Sequence, residues 1–153
     1  LIRRGDTLDI PFLRSLLAHA YGWHVNRADS DVSISRYVDA WGRPGDAALV
    51  AMDEGHSVGA SWYRLLSEDA PGFGFVDDRT PELTVVVVPT RQGEGIGEQL
   101  LDELIVRAEL EGYPAISVSV ARDDQTEVAI YESRGFLPVA ETGNAVTLVR
   151  RLS

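Results

Sequence analysis

Apolar and polar positions change their period several times along the chain, most sharply near its middle. Val85 to Val88 is an unbroken apolar run closed by Pro89. A strand with one wet face would alternate, so this run predicts a strand covered on both faces. From Gly97 onward, Leu100, Leu101, Leu104, Ile105 and Ala108 recur at helical spacing. That spacing predicts a helix of several turns with one face against the sheet. The segment reads as strand, glycine turn, helix.

Ahead of it, Leu1 to Arg4 predicts a short first strand. Asp9, Ile10 and Pro11 predict a helix start, with Phe12, Leu13, Leu16, Leu17 and Ala20 as its apolar stripe. Tyr21, Gly22 and Trp23 close that helix, the rings serving either the core or the wall of a pocket. A second helix is expected within Asp29 to Trp41, with Ile34, Tyr37 and Val38 on one face, and Gly42 to Gly45 is a turn. Ala47 to Met52 and Ser57 to Leu66 are strands joined by the hairpin turn Asp53-Glu54-Gly55-His56. Trp62 and Tyr63 point to opposite faces by alternation, so at most one of them lines an acceptor cleft. Ser67 to Pro81 carries acidic residues and a glycine–phenylalanine repeat. It reads either as a flexible acidic loop or as a lid whose carboxylates attract an ammonium group.

After the long helix, Ala115 to Val120 is another branched strand, so strand, helix and strand imply a right-handed parallel crossover. Asp124, Gln125, Thr126 and Glu127 open a short helix through Ser133 that Gly135 ends, and Val146 to Val149 is the last strand. The pattern predicts an α/β (α+β) fold. Its mixed, mostly antiparallel sheet is flanked by helices, with one parallel crossover, in a single domain over residues 1–153.

Composition narrows the chemistry. A chain of 153 residues with 44% apolar content can bury a substantial core. The formal charge of −10 argues against a nucleic-acid binder held by phosphate contacts and suits cationic or amine-bearing partners. All 14 basic residues are arginines, which removes Schiff-base chemistry. Without cysteine there is no thiol nucleophile, and His19, His24 and His56 are too scattered for a metal motif. No apolar run is long enough to span a membrane and nothing resembles a signal peptide, so a cytoplasmic protein is expected.

The turn after Pro89 is the main candidate site. Gln92, Gly93, Glu94, Gly95, Ile96 and Gly97 precede a helix start, where backbone N–H groups are free to point outward. Glycines admit a ligand close to that backbone, and the helix dipole favours an anion such as phosphate. The plainer alternative is a tight turn and nothing more. A P-loop is excluded because no Lys-Ser/Thr pair follows, and the dinucleotide fingerprint lacks its third glycine position.

Gln92-Gly93-Glu94-Gly95-Ile96-Gly97 resembles the acyl-coenzyme A signature of the GNAT superfamily of N-acyltransferases. That signature is Gln or Arg, two variable residues, Gly, one variable residue, then Gly or Ala. Pro89 and the apolar strand before it fit the same family. Tyr131-Glu132-Ser133-Arg134-Gly135-Phe136 resembles its Tyr-Glu-x-x-Gly-Phe segment. The likeness follows the whole chain in order and length, with these two segments its specific parts.

This resemblance implies a GNAT-like fold using acetyl-CoA as co-substrate. Pantetheine would lie between splayed strands at Thr84–Val88 and Ala115–Val120, bonded by backbone groups of Val86, Val87 and Val88. The N–H groups of Gln92, Gly93, Gly95, Ile96 and Gly97 would cradle the phosphates, with Arg91 adding charge from the rim. A backbone N–H near Val87 would face the developing oxyanion. Tyr131 is the implied acid for the departing thiolate, its plain alternative being a helix residue packed under the sheet. Glu82 is the implied base, acting directly or through water and charged at neutral pH by an ordinary carboxyl pKa. A plain strand-edge carboxylate is the other reading of Glu82, with Asp77 and Asp78 as fallback bases.

Asp124 stands where the family often has asparagine and is kept among the cofactor-binding positions. Glu127 stands where it often has alanine. The implied reaction is direct attack of an amine in a ternary complex, with no metal. The acceptor is a small molecule or a peptide amine, and the acidic loop favours a small cationic amine over a protein N-terminus. A homodimer is among the expected partners; nucleic acid and membrane are not. The rival is a non-catalytic acyl-CoA-binding regulatory module, and a more distant one is a Rossmann-like oxidoreductase with a continuous parallel sheet.

Overall fold

The computed structural model describes residues 1–24 and 33–152. Among them, a seven-stranded sheet has the order β1-β2-β3-β4-β5-β7-β6. Its strands are β1 (Ile2–Arg4), β2 (Ala47–Asp53), β3 (His56–Arg64), β4 (Glu82–Val87), β5 (Ala115–Ala121), β6 (Leu137–Thr142) and β7 (Ala145–Arg151). Only β4 and β5 pair in parallel; every other pair is antiparallel. That overturns the continuous parallel sheet of the oxidoreductase reading. The helices are α1 (Ile10–Tyr21), α2 (Ile96–Leu110) and α3 (Gln125–Glu132). No helix among the described residues is long and apolar enough to cross a membrane.

Strand alternation sorts the core into two faces. On one, Leu100, Leu101, Leu104, Ile105 and Ala108 of α2 pack on Tyr63, Leu83, Ile116, Val118 and Val120. These five α2 positions are the stripe that helical spacing marks out. On the other face, Leu13, Leu16, Leu17 and Tyr21 of α1 pack on Ala48, Ala60, Trp62 and Val86. Trp62 and Tyr63 therefore do part to opposite faces, and neither lines the cavity described below. The β2–β3 hairpin turns through Glu54 and Gly55 at φ 49 and 80, the primed turn that matches strand twist.

Three expectations need correction. Of the helix expected within Asp29 to Trp41, residues 29–32 lie outside the described residues. The remainder forms only a 3-10 turn, Ile34–Tyr37, and Ala40 then adopts φ 53. The carbonyls a helix would use internally go instead to a buried cation. Arg64 Nη1 donates to Arg36 C=O at 3.0 Å and Asp39 C=O at 2.7 Å, while its Nη2 meets Asp46 at 2.6 Å.

The second correction is β6, an unexpected edge strand. All six of its residues are exposed, so no core face marks it, and Pro138 with an adjacent bulge blunts its free edge. Third, Ser67 to Pro81 is not a free-standing loop at its centre. Phe73 N–H donates to Tyr37 Oη at 2.7 Å and Gly74 N–H to Glu82 Oε2 at 3.1 Å.

The Arg64 knot yields a stability prediction. Arg64→Met leaves Asp46 buried without its cation and strands the turn carbonyls. Breaking such a pair costs about 3–5 kcal/mol, to be read as a lowered urea midpoint with unchanged slope.

Candidate active site

The parallel strands β4 and β5 share register only at Glu82↔Ser117, beside which Ser117 N–H reaches Pro81 C=O at 3.0 Å. Beyond that pair no ladder joins them, and a cavity of about 560 Å³ opens between Leu83–Val87 and Val118–Val120. The valine run consequently has one open side: Val85 and Val87 are only partly buried, unlike Val86. Antiparallel pairing explains which backbone groups face the gap. Val88 N–H bonds Val58 C=O at 2.9 Å, so alternate residues Val88 and Val86 turn their amides toward β3, while Val87 and Val85 turn theirs toward β5. Val86 and Val88, expected among the pantetheine-binding amides, are thus committed to the sheet, and Val88 does not reach the cavity wall.

One end of the cavity is the start of α2. Its N-cap, Gly95, sits at φ 83 and offers no side-chain cap. The first intrahelical bond runs from Gln99 N–H to Gly95 C=O at 3.2 Å. The N–H groups of Ile96, Gly97 and Glu98 precede it and stay outside the ladder. A Cβ at Gly93 or Gly95 would meet nothing within 4 Å among the described residues, so glycine is needed there for its left-handed backbone rather than for space. Gln92, Gly93, Gly95, Ile96 and Gly97 all line the cavity with Arg91. Arg91 is braced by Asp53 at 2.9 Å and Glu94 at 2.9 Å, which fixes its guanidinium at the rim.

The opposite wall is α3. Asp124 caps it, accepting from Glu127 N–H at 3.1 Å, and Glu127, Ile130 and Tyr131 follow along the cavity. Tyr131 packs edge-on to Phe136 with centroids 5.2 Å apart. Burial first, then the Glu127 charge, holds its phenol well above the ordinary tyrosine range, so it is a neutral donor at physiological pH. Burial and the neighbouring Asp124 push Glu127 up to about 7. Arg134 clips α3 to α2 through Asp102 at 2.6 Å and Glu98 at 3.0 Å.

The floor lies on the α1 side of β4. Glu82 is 2% exposed, which overturns the strand-edge reading. Burial raises its pKa to about 7, against the opposing hydrogen bonds from Tyr37 and Gly74. The ordinary carboxyl value expected from sequence is therefore also overturned. Its Oε2 accepts from Tyr37 Oη and Gly74 N–H, while its Oε1 has no hydrogen-bond partner among the described residues. Glu82 is not on the cavity wall; Tyr21 and Thr84, hydrogen-bonded to each other, are. Asp77 and Asp78 are exposed and stand off that wall. Beside Tyr21, Trp23 stacks on His24 at 3.8 Å and His24 on Phe73 at 3.6 Å. Burial lowers the His24 pKa to about 4, leaving the ring neutral at physiological pH.

The structure thus gathers Tyr131, Val86, Val87, Arg91, the turn amides and Asp124 around one cavity, and leaves Glu82 and Val88 behind its wall. Sequence reasoning missed Tyr37 as a member of the site's surroundings, and gave Thr84 and Glu127 no part beyond a place on the splayed strand and at the family's alanine position. The glycines of Gly72-Phe73-Gly74 were the available signal, since a small residue on each side of a ring marks backbone pressed close to something.

A family model for the acetyltransferase (GNAT) family matches residues 10–136. The mycothiol acetyltransferase of Jonesia denitrificans is 27% identical over 144 residues, covering 90% of this chain and 43% of that protein. The chain therefore spans less than half the length of that relative. Among solved structures, the ribosomal-protein-alanine N-acetyltransferase of Brucella melitensis superposes with a TM-score of 0.73 at 24% identity, covering 99% of each chain. Salmonella typhimurium yncA, solved with its cofactor acetyl-CoA, superposes with a TM-score of 0.74 at 22% identity, covering 100% of this chain and 94% of that one. At these identities the structural likeness is one of fold.

Proposed function

Because the chain belongs to the acetyltransferase (GNAT) family, we propose that it transfers an acetyl group from acetyl-CoA to a primary amine, by direct attack with both substrates bound. The observation that carries this reading is the uncapped start of α2 opening on the gap between β4 and β5. Amides outside the helical ladder, at the positive end of a helix, suit a pyrophosphate, and a gap walled by valines suits an extended, mostly apolar arm. Acetyl-CoA supplies a thioester, an acetyl group already activated for transfer.

The chain's own groups divide the remaining work. The Ile96, Gly97 and Glu98 amides hold phosphate, with Arg91 at the rim. The Val87 and Val85 backbone faces the gap, where an N–H can stabilise charge on the acetyl oxygen. Tyr131 gives its phenolic proton to the departing thiolate as the carbon–sulfur bond breaks. Glu82 takes the proton that the amine loses. For the acceptor, the wall of His19, Ala20, Tyr21 and Trp23 and the chain's net charge of −10 favour a small cationic amine over a protein N-terminus.

The test is a thiol-release assay with acetyl-CoA and a panel of spermidine, alanine and a short peptide with a free N-terminus. Turnover led by spermidine is expected; no release above hydrolysis with any amine contradicts the reading. The turn makes a separate prediction. Gly95→Ala forces a side chain into a left-handed position at a cost of about 1–2 kcal/mol. Acetyl-CoA should then bind about tenfold more weakly if the strain distorts the amide cradle, which isothermal calorimetry reads directly.

A further inference from the structure

A cavity that suits a phosphorylated carrier should be lined by cations, and this one is not. Among the described residues, the acidic and arginine side chains on its wall are those of Arg91, Glu98, Asp124 and Glu127. Arg91 is engaged by Asp53 and Glu94, and Glu98 is matched by Arg134 at 3.0 Å. Asp124 and Glu127 have no basic side chain within ion-pair distance among the described residues. Two uncompensated carboxyl groups therefore share the gap with the phosphate-binding amides.

The start of α3 puts them side by side. Asp124 Oδ1 accepts from Glu127 N–H at 3.1 Å, so both belong to the first turn of the helix. Glu127 and Tyr131 are four residues apart, on one face of α3, and both reach the cavity. Asp124 is exposed and keeps its water, whereas Glu127 is half-buried. Of the pair, Glu127 is the one that gives up its charge more readily.

Nothing packed around Glu127 supplies a free cation. On α1 the titratable wall residues are His19 and Tyr21, and the wall residues of β4 and β5 carry no charge. At the turn and on α2 stand Arg91 and Glu98, already paired. Arg122, ahead of α3, is turned to Glu141 at 3.1 Å, and Arg134 at its far end is held by Glu98 and Asp102. Asp124 and Tyr131 complete the set.

We propose that Glu127 enters the acetyl-CoA complex as a neutral carboxylic acid, so that cofactor binding draws one proton from solvent onto its carboxylate. This rests on the acetyltransferase reading for the cofactor's place in the cavity, and adds a residue of the cofactor site together with its working protonation state. The O–H bond on Glu127 is the only bond made, and water or buffer gives the proton. Like charges in a gap walled by valines are poorly screened, which favours the neutral form once phosphate arrives. As an acid, Glu127 also presents an O–H donor, where a carboxylate presents acceptors alone. Burial and the Asp124 charge already raise its pKa to about 7 before any ligand binds, so the proton is gained easily near neutrality. Affinity is then highest below that value, where the acid is preformed, and falls above it, where binding must recruit the proton.

The test is isothermal calorimetry of the full chain with acetyl-CoA from about pH 6 to about pH 9, in two buffers of different ionisation enthalpy. Wild type should take up protons above about pH 7, approaching one per acetyl-CoA, while its Kd rises by up to about tenfold per pH unit. Glu127→Gln keeps the shape and cannot ionise. It should lose both effects and bind acetyl-CoA several-fold tighter than wild type at about pH 8. Glu127→Ala should lose them too, which separates the missing charge from any contact made by the new amide. Ionisation of the cofactor's own phosphate, near 6, is common to all variants and cancels between them. Glu82→Gln should keep the uptake, because Glu82 is not on the cavity wall even though its carboxyl also lies at about 7. Uptake that persists in both Glu127 variants, or that disappears only in Glu82→Gln, overturns the proposal. So does a wild-type Kd that tightens or stays level as pH rises above 7. Acetyl-CoA that fails to bind the wild type at any pH overturns the underlying reading instead.

Discussion

Glu82→Gln is expected to lower kcat by about 10²–10⁴-fold, the usual worth of a positioned general base, with acetyl-CoA affinity unchanged. The pH profile carries the diagnosis. With Glu82 pushed up to about 7, wild-type kcat should rise as pH passes through that value and the carboxyl ionises, while the glutamine variant should lose the part of the rise that Glu82 supplies and keep only what Glu127, also at about 7, contributes. Stability should move the other way. The folded value of about 7 lies above the ordinary 4.5, so between these values the folded protein holds a proton that the unfolded chain has released. Stability from this site is fully present below pH 4.5 and falls until about pH 7. Above that, the buried charge costs about 3 kcal/mol. The glutamine variant escapes that loss, so relative to wild type it should be more stable at pH 8 than at pH 5. Lower activity with higher alkaline stability is a combination that a merely structural Glu82 would not produce.

Tyr131→Phe is expected to reduce kcat by about 10²-fold while leaving the dissociation constant of acetyl-CoA within about twofold. The ring keeps its edge-on contact with Phe136, so the fold has little to lose; only the hydroxyl is removed. The phenol lies well above its ordinary pKa, so it is a neutral donor across the working range and the variant should be slow at every pH. This separates it from Glu82→Gln, whose deficit grows as pH rises through 7. It also separates an enzyme from a non-catalytic acyl-CoA-binding module, in which losing the hydroxyl would change neither quantity.

What was legible in the sequence was periodic or local. The α2 stripe, the two-residue hairpin at Glu54-Gly55 and the glycine turn follow from side-chain spacing or backbone need, and each depends on neighbours within a few residues. What was not legible depends on distant partners. The segment around Tyr37 looks helical until Arg64, 28 positions beyond Arg36, claims its carbonyls. Glu82 looks like an ordinary carboxylate at a strand start until Tyr37, 45 positions away, and the Gly72–Gly74 cover enclose it. Strand β6 carries no burial signal because its whole length is exposed. Within the valine run, sequence placed three residues against the cofactor. Only the ladder to β3 reveals that alternate amides are already committed.

The account stands on the turn after Pro89 holding a phosphorylated acyl carrier. Backbone-amide NMR during titration with acetyl-CoA tests this most directly. Saturable shifts of the Gly93–Glu98 and Val87 amides, with a dissociation constant below about 1 mM, are predicted. Amides in that stretch that stay unmoved at millimolar acetyl-CoA, or shifts centred elsewhere on the molecule, would contradict it.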